Sequence, residues 1–255
     1  MKRLIFITIL LMCSMFLGSC AEEGDGKFFL YSEIPEVKID WSDAIITDVN
    51  DEEAKRKVQE EEKQNMREMG RKTKELSQVP GIDEAAIQVG KKSITKKSIE
   101  LMRYSDDDQR DDLLKREIIL SVRKQVVEQE AERRNLTVEQ DKIDAVIQQQ
   151  RQDGAAYAAG AVEGYIEEVG ITEEEYWKNG EELIRISLLR GALREEILSP
   201  RKEEFIAEVE ERGITFKEAQ NEYWESYVDG LVLKSHIKIL DPELKKLFGV
   251  EEKAS

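Results

Sequence analysis

Residues 111–134 read Asp111-Asp112-Leu113-Leu114-Lys115-Arg116-Glu117-Ile118-Ile119-Leu120-Ser121-Val122-Arg123-Lys124-Gln125-Val126-Val127-Glu128-Gln129-Glu130-Ala131-Glu132-Arg133-Arg134, a run without glycine or proline. Leu114, Ile118, Val122 and Val126 recur every four residues, and Leu113, Leu120 and Val127 every seven. That periodicity predicts a helix with a wide buried face, the strongest in the chain. Asp106-Asp107-Asp108 and Asp111-Asp112 precede it and enter its first turn, where negative charge interacts favourably with the helix dipole. Their spacing does not meet the EF-hand pattern, so no metal site is expected of them.

Downstream, Asn135-Leu136-Thr137 breaks the run, and Thr137-Val138-Glu139-Gln140 reads as a capping box for a second helix carrying Ile143, Val146 and Ile147. Thr172-Glu173-Glu174-Glu175 opens a third helix with Trp177, Ile184, Leu188 and Ala192 on its core face, stopped by Pro200. Thr215-Phe216-Lys217-Glu218 starts the last long helix, on which Ala219, Tyr223, Tyr227 and Leu231 fall at four-residue steps and within which His236 is placed. Upstream, residues 51–83 form an acidic helical segment, with Ala54, Val58, Met66, Met69 and Leu76 as a thin apolar stripe that ends before Pro80-Gly81. Ala86-Ile87-Gln88-Val89 and Ser93-Ile94 flank Gly90-Lys91-Lys92 as a strand, turn and strand, and Thr95 is placed to cap a helix from Lys96.

The opening nineteen residues are of another kind: Lys2 and Arg3, the apolar run Leu4 to Met12, then the small residues Gly18 and Ser19. Residues 1–19 therefore read as a cleavable export signal, too short for a stable span. Leu17-Gly18-Ser19-Cys20 resembles the bacterial prolipoprotein lipobox, and the resemblance implies a lipid joined to Cys20 after cleavage, with the chain tethered to the extracytoplasmic face of a membrane. Cys13 would leave with the signal, so no disulfide is expected. Removing Lys2 and Arg3 from a chain of net charge -16 leaves -18. Such a surface repels nucleic acid and anionic lipid heads, so the lipid would have to do the anchoring. Residues 20–50 are read as a tether and extended segment: Ala21 to Gly26 is acidic and glycine-rich, while Phe28, Phe29, Leu30, Tyr31 and Trp41 argue for docking rather than complete disorder.

The ordered series Val89-Gly90-Lys91-Lys92-Ser93-Ile94-Thr95, Asn135-Leu136-Thr137-Val138, Gly170-Ile171-Thr172-Glu173-Glu174-Glu175 and Lys238-Ile239-Leu240-Asp241-Pro242-Glu243 resembles the SurA and PrsA type N-terminal chaperone domain. The resemblance covers residues 84–245, leaves 246–255 as a tail, and departs from the family in lacking the usual Asn before Gly90. It implies an all-α peptide-binding domain with a short strand-turn at its start, which holds unfolded or newly exported polypeptides without ATP. Many relatives in that family also carry a parvulin-type prolyl isomerase domain, usually with paired active-site histidines. This chain has the single histidine His236 and no stretch outside its helices to hold that fold, so no enzymatic activity is expected.

Other chemistry is not encoded. Gly90-Lys91-Lys92-Ser93 lacks the preceding glycine and the hydroxyl position of a phosphate loop, and no G-x-S-x-G, C-x-x-C or H-E-x-x-H occurs. No catalytic residue, cofactor or metal is therefore expected. Around Gly160 and Gly164 the chain is rich in small residues, but Glu163, Glu167 and Glu168 exclude a lipid span, which leaves close helix contact or an adaptable tip. The candidate client contacts are the aromatic residues Tyr157, Tyr165, Tyr176, Trp177, Tyr223, Trp224 and Tyr227, since rings with a polar tip suit promiscuous contact. Tyr223 and Trp224 are adjacent and cannot both face inward, so one of the two is the foremost candidate. The alternatives are an assembly lipoprotein whose acidic helix binds one fixed partner, and the remnant of a prolyl isomerase.

Overall fold

A computed structural model describes residues 52–103, 110–157 and 161–250. Cys20 and its lipobox, the aromatic run Phe28 to Trp41, and Asp106-Asp107-Asp108 lie outside the described residues. The described chain is mostly helical, with one small antiparallel sheet. In order come α1 (Glu52–Leu76), β1 (Ala85–Val89), β2 (Lys92–Thr95), α2 (Lys96–Met102), α3 (Arg110–Arg133), α4 (Gln140–Tyr157), α5 (Ala161–Val169) and α6 (Glu173–Leu198). A 3-10 turn (Ser199–Arg201), α7 (Lys202–Arg212), α8 (Phe216–Lys234), β3 (Ile237–Ile239) and α9 (Pro242–Phe248) complete it. None of these helices is long and apolar enough to cross a membrane.

The chain divides into two compact units, one holding residues 52–80 and 138–188, the other 81–137 and 189–250 among those described. The cut between residues 80 and 81 lies close to the sequence-drawn boundary at 83, but residues 138–188, read as part of the 84–245 domain, group with α1.

In the first unit α1 lies against α5, and glycine is the reason the two can approach. A Cβ added at Gly164 would stand 2.8 Å from the Lys63 carbonyl oxygen, and one at Gly70 would stand 2.9 Å from both the Tyr165 carbonyl oxygen and Glu168 Cβ. Of the two readings of the small-residue segment, close helix contact is therefore what Gly164 provides. The acids that excluded a lipid span bind the same helix. Glu163 pairs with Lys63 at 3.8 Å, Glu167 with Arg67 at 2.9 Å and Glu168 with Arg71 at 4.0 Å. Lys63, Arg67 and Arg71 recur every four residues, so one face of α1 carries all three. The Arg67 hydrogen bond holds the Glu167 carboxyl below the usual carboxylate range.

In the second unit α3 is the central element. Leu114, Ile118, Ile119, Leu120, Val122, Val126, Val127 and Ala131 are buried, so the stripe read from the sequence widens to surround much of the helix. Positive φ at Asn135 (57°) ends the run, as read. The strand-turn-strand is present: Val89 pairs with Lys92 across Gly90-Lys91, with a register irregularity between Ala85 and Ile87. Gly90 takes φ 55°, the left-handed region open to glycine. Helix α3 clamps this hairpin through Gln129, which donates to the Val89 carbonyl (2.9 Å) and accepts from the Lys91 N–H (3.0 Å). Lys92 adds ion pairs to Glu128 and Glu132.

A third strand stands where the sequence reading had none. The sheet order is β2-β1-β3, and Ile237, Lys238 and Ile239 pair antiparallel with Val89, Gln88 and Ile87. The last strand of the unit thus closes on its first. His236 is correspondingly not helical: α8 ends at Lys234, and the exposed His236 accepts the Gly90 N–H through its carbonyl at 2.8 Å. Thr95 caps α2, the Thr172 and Thr215 boxes open α6 and α8, and Asp241 caps α9 ahead of Pro242. Helix α4 begins at Gln140, two residues later than Val138 of its capping sequence.

Candidate functional site

The seven aromatic candidates separate by unit. In the first unit, left-handed Gly170 (φ 80°) ends α5, with its N–H on the Ile166 carbonyl at 2.8 Å, and the Thr172 box starts α6 two residues later. This tight connection brings Tyr165, in the middle of α5, against Tyr176, in the first turn of α6. Their rings meet edge-on at 5.6 Å, and Tyr176 meets Trp177 edge-on at 5.2 Å. Trp177 donates its indole N–H to Glu173 (3.0 Å) and lies under the Arg151 guanidinium at 5.4 Å. All three rings are half-buried, and burial pushes the Tyr176 hydroxyl above its ordinary pKa. Tyr157 is the last residue of α4; its side chain lies outside the description.

Along α6 from this cluster, Tyr176, Gly180 and Leu183 fall on one face at steps of four and three. Leu183 is 71 % exposed, and an added Cβ at Gly180 would meet nothing within 4 Å. This strip offers apolar surface beside the half-buried ring cluster. The sequence reading missed Leu183, although the signal was there: Leu183 and Ile184 are adjacent, so a helix can bury only one, and it buries Ile184.

In the second unit Trp224 is buried, while Tyr223 and Tyr227 are half-buried. Trp224 is 4 % exposed, stacked on Tyr227 at 5.8 Å, and is a core residue, not a client contact. The stripe of α8 runs through Trp224, Val228 and Val232, one step from the Tyr223, Tyr227 and Leu231 stripe read from spacing alone. Tyr227 is half-buried and donates its hydroxyl to Glu130 (3.0 Å) while accepting from Arg134 (3.2 Å). Its hydroxyl is pushed up by burial and by that bond to Glu130. Tyr223 lies edge-on to the buried Phe205 at 5.8 Å, with the Arg201 guanidinium 4.3 Å from its ring centre.

Two charge clusters that the sequence reading did not single out sit in this unit. Glu130, on α3, accepts from Arg133, Arg134 and Tyr227, and Arg134 continues to Glu196 at 2.6 Å. Those bonds, led by Arg133, lower the Glu130 carboxyl to about 2. Deeper in, Arg123 of α3 binds Asp229 (2.5 Å) and Glu225 (3.0 Å) of α8. The sequence signal was a charge on an apolar face, since Arg123 stands four residues from both Ile119 and Val127, which are buried. Among the described residues no group of three or more His, Cys, Asp or Glu could hold a metal ion.

No family model, no curated protein and no solved structure matches this chain.

Proposed function

We propose that this chain is a membrane-tethered, extracytoplasmic holdase that binds unfolded exported polypeptides without ATP, anchored by lipid on Cys20. The observation that carries the reading is the α5–α6 surface. Tyr165, Tyr176 and Trp177 present half-buried rings, and Leu183 stands out from α6, on a chain whose net charge keeps a client complex soluble. The lipobox and the order of the turn motifs support the location and the class. The segment Lys238 to Glu243, which resembles the family's closing segment, supplies part of β3, the Asp241 cap and the start of α9.

The test is suppression of aggregation of an unrelated unfolding protein by the mature chain at stoichiometric amounts. Protection that weakens on Leu183→Ser supports the proposal; no protection, together with no binding to unfolded peptides, removes it. Catalysis in a proline-limited refolding assay would instead restore the isomerase reading. The alternative is an assembly lipoprotein whose acidic helix α1, packed on α5 along one face, binds one fixed partner. Recovery of one stoichiometric partner from membranes, rather than a spread of exported clients, would favour that alternative. Cys20→Ser is expected to release the chain from the membrane.

A further inference from the structure

In the seam between α3 and α8, Arg123 binds two carboxylates. Arg123, Glu225 and Asp229 are all buried, and Asp229 is 0 % exposed. Arg123 binds Asp229 through Oδ1 only, and Asp229 Oδ2 is buried with no hydrogen-bond partner among the described residues. The charges that face this pair come from three helices. Arg123 belongs to α3 and Glu225 stands one turn earlier on α8. Arg194 of α6 lies 5.9 Å from the Trp224 ring and interacts with the Glu225 charge. Arg212 of α7 is not among them, being engaged by Glu208 and Glu222. Among the described residues the cation bound to Asp229 is Arg123, which also binds Glu225. A buried carboxylate with one oxygen left bare is costly in its charged form.

We infer that Asp229 is a proton-binding site built into this seam: Oδ2 takes up one proton in mildly acidic solution while Oδ1 keeps its bond to Arg123, leaving Arg123 and Glu225 as a neutral pair. Burial pushes the Asp229 carboxyl up, with the Arg123 charge and hydrogen bond opposing it. The folded chain then holds this proton more tightly than the unfolded chain does. Its contribution to stability is full below the unfolded-state pKa and is lost as pH rises through the folded-state pKa. That direction is opposite to ordinary acid denaturation.

The experiment is a carboxyl-carbon NMR titration of Asp229 in the mature chain, joined to urea unfolding of wild type and Asp229→Asn from pH 4 to pH 8. The expected result is proton binding at least threefold tighter than that of an ordinary aspartate of pKa about 3.9. The unfolding midpoint of Asp229→Asn should exceed that of wild type at pH 7.5, with the gap closing towards pH 4. Glu225→Gln, which removes the competing anion, should lower the Asp229 titration midpoint. A midpoint at or below the ordinary value, or a wild type more stable than Asp229→Asn at pH 7.5, overturns the inference. The wild-type titration decides the matter alone if the variant does not fold.

Discussion

Replacing Gly164 by alanine tests whether the α1–α5 contact depends on a missing side chain. The new Cβ would meet the Lys63 carbonyl oxygen at 2.8 Å and Arg67 Cγ at 3.1 Å. The arginine stem can move aside, but the carbonyl is held in helical backbone, so the helices must separate. Overpacking of this kind costs about 1–3 kcal/mol. Alanine also favours the helix over glycine by about 1 kcal/mol, which acts in the other direction. The net expectation is a loss of roughly 0–2 kcal/mol, within the range set by those two effects. Gly180→Ala is the internal control, because it lies in a helix of the same unit and its Cβ meets nothing within 4 Å. It should gain about 0.5–1 kcal/mol. Urea unfolding followed by circular dichroism compares the two variants, and the difference between them should be about 1–3 kcal/mol, roughly five- to 150-fold in the unfolding constant. If Gly164→Ala stabilises the chain as much as Gly180→Ala does, the close-packing argument is refuted.

Glu130→Gln should destabilise the second unit at pH 7 by about 1–3 kcal/mol, the scale of lost charge-assisted hydrogen bonds. The Glu130 carboxyl is depressed to about 2, so its contribution is present above the unfolded-state value and fades as pH falls towards 2. The deficit of the variant should narrow over that range in pH-dependent unfolding curves. Trp224→Ala should cost about 3–5 kcal/mol of stability as a core truncation. Leu183→Ser should change stability by no more than about 0.5 kcal/mol while weakening client protection, because its side chain is mostly in water. Equal loss of protection in the two variants at a temperature where both are folded would count against the α6 strip.

Periodicity and local capping were sufficient to read α3, the Gly90 turn, the Thr95 cap and the Thr172 and Thr215 boxes. Each depends on residues close in sequence, and burying α3 needs only that its apolar stripe find a partner. Spacing also showed that Tyr223 and Trp224 must diverge. Which of them turns inward was decided by tertiary packing, since a one-residue step rotates a helix face by about 100° and both stripes carry large side chains. Strand β3 escaped notice because Ile237-Lys238-Ile239 is too short for a periodic signal and becomes a strand only where β1 offers its free edge. The same holds for Arg123. The sequence alone determined a charged side chain amid apolar neighbours, but the chain had to fold before Asp229 and Glu225, about a hundred residues away, could meet it in a buried seam.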